Sequence, residues 1–262
     1  MSLEGKKAVV FGGCGGIGFA ICQHLLKEGV QNLFILDIAE LTDTCRNLLK
    51  KSNEQAEILF ENCDISNSTE LQKILQHNVV GAFETFDILV NSSGIAAADV
   101  PDKVIGVNLV QNIGVINASL FTLDLMSKAK GGNGGVILNV ASIAGLEPIP
   151  FLPIYCASKF GLVGFTRSLG VPPIFDETGV KFVSICPGAT ETPLFKDCHS
   201  LAIEVNALKQ LFQDYTTRFV VQSPDVVGAC VVRAIVEGEN GSAWICNEGN
   251  NVPFDFPPSR FL

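Results

Sequence analysis

The sequence is poor in charge and has no apolar run long enough to span a membrane. Only 17% of its 262 residues are charged, whereas about a quarter is usual for a soluble domain. No segment reaches the roughly 18 apolar residues that a spanning helix needs, and no stretch has the features of a secretory signal peptide. The net charge of −9 disfavours nucleic acid and anionic membranes as partners. We therefore expect a cytoplasmic protein whose surplus of apolar surface is partly covered in a homodimer or homotetramer.

Patterns typical of metal sites and disulfide frameworks are also absent from the sequence. Its three histidines share no ligand spacing, so it predicts no metal site. Its nine cysteines are odd in number and contain no CxxC pair. Three of them fall in or beside strand-like runs, where we interpret them as small buried apolar residues: Cys63, Cys186 and Cys246.

Short apolar runs that alternate with helical patterns occupy most of the chain. The strand-like runs lie at about residues 6–11, 32–37, 57–62, 86–91, 134–140, 179–186 and 243–247. Such alternation is typical of a parallel sheet with helices on both faces, and the 47% of apolar residues suits a two-sided core. No linker or repeat divides the chain. The sequence therefore predicts one α/β domain over residues 1–262, a Rossmann-type doubly wound parallel sheet of seven strands flanked by helices.

Prolines interrupt this alternation at two places. Pro172–Pro173 stand where a helical pattern would otherwise continue. Because proline lacks an amide hydrogen and clashes with the preceding turn, we expect a helix to end near Leu169 and irregular chain to follow up to about Gly179. Three further prolines fall in the segment 252–262, which we predict to be an irregular tail.

A glycine-rich turn follows the first strand-like run. Gly12, Gly16 and Gly18 come directly after it and precede a helical pattern of apolar residues. Gly12 permits a tight turn, Gly16 lets the backbone approach a pyrophosphate, and Gly18 lets the helix pack closely on the sheet. The helix N-terminus attracts phosphate charge. A turn that is merely flexible is the alternative, but the order of strand, turn and helix favours a dinucleotide site.

An acidic residue ends the second strand-like run. Asp37 lies roughly 20 residues beyond the glycine turn, where a carboxylate can accept hydrogen bonds from the ribose hydroxyls of adenosine. It would repel a 2′-phosphate, and the glycine turn has no Arg or Lys to neutralise one. We therefore predict NAD rather than NADP as cofactor. The alternative interpretation of Asp37 is an ordinary turn cap.

Tyr155 and Lys159 are four residues apart, and Ser142 lies thirteen positions before the tyrosine. Residues at this spacing share one face of a helix, so the lysine ammonium can approach the phenol and favour its deprotonated form. Such a tyrosine can act as a general base or acid near neutral pH. Ser142, from a separate strand end, could donate a hydrogen bond to the same substrate oxygen. The Tyr–Lys pair is weak evidence by itself and gains its weight from the dinucleotide motifs.

Together these motifs resemble the short-chain dehydrogenase/reductase family, from about residue 5 to about residue 247. Y-C-A-S-K-F-G-L-V-G-F-T-R-S (155–168) and I-C-P-G (185–188) are similar to NAD-dependent 15-hydroxyprostaglandin dehydrogenases. N-L-F-I-L-D (32–37), G-G-N-G-G-V-I-L-N (131–139) and G-S-A-W-I (241–245) are similar to insect alcohol dehydrogenases. The resemblance also implies that residues 190–222, which contain no strand-like run but several Leu and Phe, cover the substrate.

The resemblance carries residue roles with it. It implies a catalytic set in which Tyr155 is the general base or acid, Ser142 holds the substrate oxygen, Lys159 lowers the tyrosine pKa and binds the nicotinamide ribose, and Asn108 holds a relay water. The segment Asn91–Gly94 matches a motif usually written N-N-A-G, with two departures. The implied cofactor contacts are Gly12, Gly16, Ile17, Gly18, Asp37, Ile38, Cys63, Asp64, Ile65, Asn91, Gly94, Tyr155, Lys159, Pro187, Gly188, Thr190 and Thr192.

One departure from the family bears on the substrate. Hydroxyprostaglandin dehydrogenases carry a glutamine three residues before the catalytic tyrosine, and this chain has Leu152 there. We therefore expect an apolar pocket and an NAD-dependent oxidoreductase that interconverts a lipophilic secondary alcohol and its ketone. A catalytically idle dinucleotide-binding sensor or scaffold is the alternative, although it would have no need of a general base. A nucleotide-sugar epimerase also uses a Tyr–Lys pair, but the chain has no C-terminal sugar-binding domain.

Overall fold

Eight strands, with helices between them, make up the part of the chain that the structure describes. The structure is a computed structural model and describes residues 2–94, 101–150, 152–196, 214–215 and 217–257, with side chains in the second range from residue 112 onward. The strands are β1 (Lys7–Phe11), β2 (Asn32–Asp37), β3 (Glu57–Asn62), β4 (Ile88–Asn91), β5 (Gly135–Val140), β6 (Val180–Pro187), β7 (Ala243–Asn247) and β8 (Asn250–Pro253).

Helices occupy most of the connections between these strands. They are α1 (Gly16–Lys27), α2 (Asp43–Ser52), α3 (Ser68–Lys73), α4 (Val80–Phe83), α5 (Pro101–Met126), α6 (Pro153–Leu169), α7 (Pro172–Thr178), α8 (Pro193–Lys196) and α9 (Pro224–Glu237). A π-helical turn, Ile74–Val79, joins α3 to α4. Two 3-10 turns, Lys128–Lys130 and Ile143–Gly145, flank β5. Within the described residues, no helix is both long enough and apolar enough to cross a membrane.

The strands form one sheet in the order β3-β2-β1-β4-β5-β6-β7-β8. β1 to β7 are parallel, and β8 is antiparallel to β7. After β3 the chain crosses back to place β4 beside β1, so the strand order reverses there. In such sheets the ligand crevice lies at the carboxyl ends of the strands next to this reversal. The predicted α/β fold class is therefore confirmed.

Both faces of the sheet are buried, because alternate strand residues point to opposite sides. Ala8 and Val10 of β1 belong to a core cluster that includes α1 and α9. Val9 and Phe11 belong to a second cluster on the other face, which includes α5 and α6. This two-sided burial explains why the strands are continuous apolar runs in the sequence.

The sheet has eight strands rather than the predicted seven. Glu248 and Gly249, both with positive φ (52° and 80°), form a two-residue turn that returns the chain along β7. Positive φ at both positions is what this kind of tight hairpin requires. The strand Asn250–Pro253 has no apolar run to reveal it. Residues 252 and 253 therefore belong to a strand and not to the predicted irregular tail, of which residues 258–262 lie outside the described range.

The segment after α6 also differs from the prediction. α6 ends at Leu169 as expected, but Pro172–Thr178 forms the short helix α7 instead of irregular chain. The two prolines occupy its first positions, where the missing amide hydrogens would have no helical partner anyway. Gly179 ends the helix in the left-handed conformation, with φ of 65°.

One cysteine interpretation is corrected. Cys246 of β7 is bonded to Cys230 of α9 in a disulfide and is not a free apolar residue, whereas Cys63 and Cys186 are free and buried as expected. The bond ties α9 to the sheet edge that carries β8. Disulfides are typical of oxidising compartments, so the cytoplasmic location stays a prediction.

Candidate active site

A cavity of about 770 Å³ opens at the carboxyl ends of the parallel strands, a volume in the usual range for small-molecule sites. The topology brings residues from both halves of the chain to its wall. The predicted site residues that lie on this wall are Gly12, Gly16, Ile17, Gly18, Asp37, Ile38, Cys63, Asp64, Ile65, Gly94, Ser142, Tyr155, Lys159, Pro187, Gly188, Thr190 and Thr192. Their individual roles toward a ligand remain predictions.

The glycine turn is packed so closely that side chains at Gly12 or Gly18 would clash with neighbouring backbone. Gly12 and Gly16 have positive φ, 75° and 53°, and a Cβ on Gly12 would stand 2.7 Å from the backbone nitrogen of Ser93. A Cβ on Gly18 would overlap the carbonyl oxygen of Gly12, so α1 can pack this closely only with glycine there. No side chain caps the N-terminus of α1. The first residues of α1 line the cavity, and the uncapped amide groups of a helix start suit the pyrophosphate of a dinucleotide.

Asp37 both caps the turn and lines the cavity. Its carboxylate accepts hydrogen bonds from the backbone N–H of Cys14 (2.8 Å) and of Ala39 (2.9 Å). A carboxylate has further lone pairs, which leaves Asp37 able to accept from ribose hydroxyls at the cavity wall. Among the described residues of that wall, Lys159 is the one basic side chain. The wall next to Asp37 thus offers no cation to a 2′-phosphate.

Ser142, Tyr155 and Lys159 meet at the other end of the cavity. Ser142 follows β5 and begins the turn Ile143–Gly145, where its hydroxyl accepts from the backbone N–H of Ala144 (3.1 Å). Tyr155 is hydrogen-bonded to the Ser142 side chain. The Lys159 ammonium donates to the carbonyl of Val140 (3.4 Å) and lies 5.7 Å from the centre of the tyrosine ring. The serine hydroxyl proton is thus free for the tyrosine or for a substrate oxygen.

Burial sets the charge states of this group more than the lysine does. Burial raises the pKa of the Tyr155 phenol, and the hydrogen bond with Ser142 opposes that rise. Burial also lowers the pKa of the Lys159 ammonium to about 8. The direction of the Tyr155 shift is opposite to the lowering expected from Lys159, whose effect on the tyrosine pKa stays a prediction. The cause is physical, since both groups lose hydration together.

Cys186 of β6 lies beneath these catalytic candidates. Burial raises the pKa of its thiol to about 12, against the opposing effects of the Ser142 backbone N–H and of the Lys159 charge. The thiol is therefore neutral and packs under the site.

Among the residues that the structure describes, no three His, Cys, Asp or Glu side chains are grouped so that they could hold a metal ion.

One predicted cofactor residue, Asn91, is not part of the described cavity wall. Asn91 is buried, and its side-chain amide donates to Ser119 (3.1 Å) and Asn139 (2.8 Å) inside the protein. The wall next to it is formed by Ser92, Ser93 and Gly94, and the contact of Asn91 with a cofactor stays a prediction. Asn108 lies in α5, and its side chain falls outside the described part of the structure.

The wall beyond Tyr155 is apolar. Leu152, Leu194 and Phe195 line it, as their positions in the sequence led us to expect. Ile149 and Phe219 line it too, although no sequence pattern marked them. The Cys156 thiol accepts from the backbone N–H of Ile149 (3.2 Å) and so fixes this wall to α6. Of the predicted covering segment, residues 197–213 and 216 lie outside the described range.

The chain is similar to known oxidoreductases. The family described as short chain dehydrogenase matches residues 6–201. Alcohol dehydrogenase 1 of Ceratitis capitata is 37% identical over 249 residues, or 95% of this chain and 94% of that protein. The 15-hydroxyprostaglandin dehydrogenase [NAD(+)] of Bos taurus is 38% identical over 196 residues, or 75% of this chain and 72% of that protein. The resemblance to both groups is therefore confirmed.

The fold has close structural relatives as well. The crystal structure of L-sorbose reductase from Gluconobacter frateurii, complexed with NADPH and L-sorbose, superposes with a TM-score of 0.76 at 23% identity. The match covers 95% of this chain and 98% of that chain. At this identity the likeness concerns the fold alone and does not decide between the two nicotinamide cofactors.

Replacing Asp37 tests its role in that choice. We expect the wild-type chain to use NAD at least about 100-fold better than NADP in kcat/KM, because a carboxylate beside a 2′-phosphate is a costly like-charge contact. In Asp37→Ser this ratio should fall by about tenfold or more, through a loss with NAD and a gain with NADP. Steady-state kinetics with both cofactors measure it.

Asp64→Ser is the matched control. Asp64 lines the same cavity and accepts a similar local hydrogen bond, from the backbone N–H of Ser66 (2.9 Å). Its replacement should change the efficiency with both cofactors by a similar factor. An unchanged NAD/NADP ratio in Asp37→Ser would remove Asp37 from the ribose site and leave it as a turn cap.

Proposed function

The chain belongs to the short chain dehydrogenase family, which matches it over residues 6–201, and on that premise we propose that it is an NAD-dependent oxidoreductase. It interconverts a lipophilic secondary alcohol and its ketone. The observation that carries this proposal is a single cavity with two chemically different ends. One end offers the glycine turn and Asp37 to a dinucleotide, and the other presents Ser142, Tyr155 and Lys159 next to an apolar wall.

Each group on the wall has a chemical task in this proposal. The amides at the start of α1 hold the pyrophosphate, and Asp37 accepts from the adenosine ribose. NAD bound in the cavity would supply the two-electron acceptor for the hydride that the carbinol carbon loses. Tyr155 takes the proton of the substrate hydroxyl, so that proton and hydride leave together and a ketone remains. Ser142 donates a hydrogen bond to the substrate oxygen.

Lys159 and Asn108 complete the proposed proton path. The Lys159 ammonium, whose pKa burial lowers to about 8, binds the nicotinamide ribose and passes a proton between Tyr155 and the relay. Asn108 holds the water that joins this relay to solvent. A lysine with a pKa near the working pH can both hold and release a proton, which a lysine at its ordinary value does poorly.

Removing the phenolic hydroxyl tests this assignment. We expect Tyr155→Phe to lower kcat for alcohol oxidation by about 100-fold or more while NAD still binds, because general acid–base catalysis contributes on that scale. The other tyrosine of the chain supplies the control, because Tyr215 is not among the residues of the cavity wall. Tyr215→Phe keeps the ring that packs against Phe219 of the wall and should retain activity. Near-normal turnover of Tyr155→Phe would contradict the mechanism, and a wild type that binds NAD without any turnover would favour the idle sensor or scaffold.

The pH profile gives a second readout of the same residue. Since burial raises the pKa of Tyr155, the protonated phenol predominates at neutral pH. Oxidation needs the deprotonated form, so kcat/KM for the alcohol should rise steadily with pH through the neutral and mildly alkaline range. Ketone reduction needs the protonated form and should be level there. A flat profile for wild-type oxidation would count against Tyr155 as the base.

A series of 2-alkanols tests the apolar wall. Each methylene that is fully buried contributes roughly 0.8 kcal/mol, so kcat/KM should rise by up to about fourfold per added carbon until the wall is filled. Leu152→Gln should flatten this rise, because it places a polar group on the wall. Leu120→Gln alters an exposed leucine off the cavity wall (43% exposed) and should leave the slope unchanged. An efficiency that is constant or falls along the wild-type series would exclude a lipophilic substrate.

We also propose that the enzyme is a homodimer or homotetramer. Large apolar side chains of α5 and α6 are exposed, among them Ile113 (53%) and Phe160 (44%), and a subunit contact would cover such surface. Analytical ultracentrifugation at micromolar concentration should give a species of at least twice the chain mass. A single species of 28.0 kDa would overturn the proposal.

A further inference from the structure

Gln222 is a buried polar residue that the proposed mechanism does not use. It lies just before α9 and is 7% exposed. It is not part of the cavity wall. Its side-chain amide nonetheless makes three hydrogen bonds, which join three parts of the chain that are distant in sequence.

All of these bonds lead to the loop after β6 or to the sheet edge beside it. The amide nitrogen of Gln222 donates to the Thr190 hydroxyl (3.2 Å) and to the carbonyl of Cys246 (2.7 Å). The amide oxygen accepts from the backbone N–H of Glu248 (3.0 Å). Both hydrogens of the amide are thus used, as is one lone pair of its oxygen. A side chain held at three points in the interior has a single defined position.

The backbone of Gln222 adds two further bonds to the same loop. Its N–H donates to the carbonyl of Ala189 (2.9 Å), and its carbonyl accepts from the N–H of Glu191 (2.8 Å). Residues 190 and 222 are the two ends of the predicted covering segment. Gln222 therefore fastens both ends of that segment to each other and to β7.

The loop that Gln222 holds crosses the middle of the cavity wall. Gly188, Thr190 and Thr192 line the cavity. At one side, a Cβ on Gly16 would stand 3.2 Å from the Thr192 side chain, which puts the loop next to the turn for the pyrophosphate. At the other side, β6 brings Cys186 against Ser142. A ligand that runs from the glycine turn to Tyr155 must therefore pass this loop.

We infer that Gln222 is a positioning residue that fixes the loop of residues 188–192 for the nicotinamide half of the cofactor. It does not touch the cofactor itself. Its amide donates to the Thr190 hydroxyl and so fixes the position of that group. The Thr190 hydroxyl in turn donates to the carbonyl of Gly188 (2.9 Å). The Thr192 hydroxyl donates to the carbonyl of Thr190 (3.3 Å), so the three lining residues move as one unit. This inference rests on the proposed function, because it names a part of the same site.

The experiment compares two ligands that differ in the nicotinamide. The dissociation constants of NAD and of ADP-ribose, which lacks the nicotinamide, are measured by calorimetry on wild type and Gln222→Met. Methionine keeps the length of the side chain and removes its three hydrogen bonds. We expect the Kd of NAD to rise by about tenfold and that of ADP-ribose by less than about twofold. Since displacement of reacting groups by about 1 Å can cost 100-fold, kcat should fall more than the KM for alcohol rises.

Three further variants make the comparison specific. Thr190→Val removes the partner hydroxyl and should reproduce the NAD effect without adding to that of Gln222→Met, because the two residues act as one unit. Thr190→Ser keeps the hydroxyl and should restore binding. Thr166→Val removes a buried hydroxyl that bonds Asn139 (3.0 Å) and Leu162 (2.9 Å) away from the cavity wall. It should lower the melting temperature and leave both dissociation constants unchanged.

The outcomes separate this inference from the proposed function. Equal losses for NAD and ADP-ribose, or no loss for either, would overturn the positioning role and reduce Gln222 to a structural residue. If Gln222→Met does not fold, Thr190→Val decides by the same comparison. If Gln222→Met weakens NAD binding more than ADP-ribose binding but the wild type oxidises no alcohol, the proposed enzymatic function is overturned and the positioning role of Gln222 stands. A wild type that binds neither ligand would overturn both.

Discussion

The site depends on the contact between the start of α1 and the end of β1. Gly18 of the helix lies directly over the Gly12 carbonyl, so close that a Cβ would overlap the oxygen. This approach brings the N-terminal amides of α1 to the carboxyl edge of the sheet, with no capping side chain in their way. α9 packs against α1 in turn, and a Cβ on Gly228 would stand 2.9 Å from the backbone carbonyl oxygen of Ala20. The helix layer on this face is therefore positioned by backbone contacts that only glycine permits.

At the opposite end of the cavity, burial and charge act against each other. Tyr155 and Lys159 come from consecutive turns of α6, and both lose hydration there, which raises the pKa of the phenol and lowers that of the ammonium. The two pKa values, 10.0 and 10.5 without these shifts, therefore move apart, and the lysine becomes the easier of the two groups to deprotonate. Burial thus favours the neutral form of both side chains.

Local patterns in the sequence are sufficient to predict most of the sheet and the two ends of the cavity. The strands are apolar runs, and Gly12, Asp37, Tyr155 and Lys159 stand at fixed spacings that their chemistry demands. Features that arise from tertiary contacts were not predictable in this way. The orientation of Asn91 depends on Ser119 and Asn139, which approach it only after folding.

The same reason explains the other differences. The strand β8 is polar and is defined by its partner β7, while α7 forms because its prolines happen to occupy the first positions of a helix. Gln222 belongs to no motif, since a single glutamine has no spacing to recognise. The pKa of Tyr155 was expected to be lowered by its nearest cation, Lys159. Its largest shift comes from burial, and the degree of burial is a property of the whole fold.

The strand β8 also protects the sheet from other molecules. Without it, β7 would present a row of unpaired backbone groups, which is a template for intermolecular strand pairing and aggregation. β8 is only four residues long, Pro253 has no amide hydrogen to offer, and Arg233 donates to the carbonyl of Asn251 (2.9 Å). A neighbouring chain would find few free donors or acceptors along this edge. The short hairpin thus lets a large parallel sheet end in water without recruiting a second sheet.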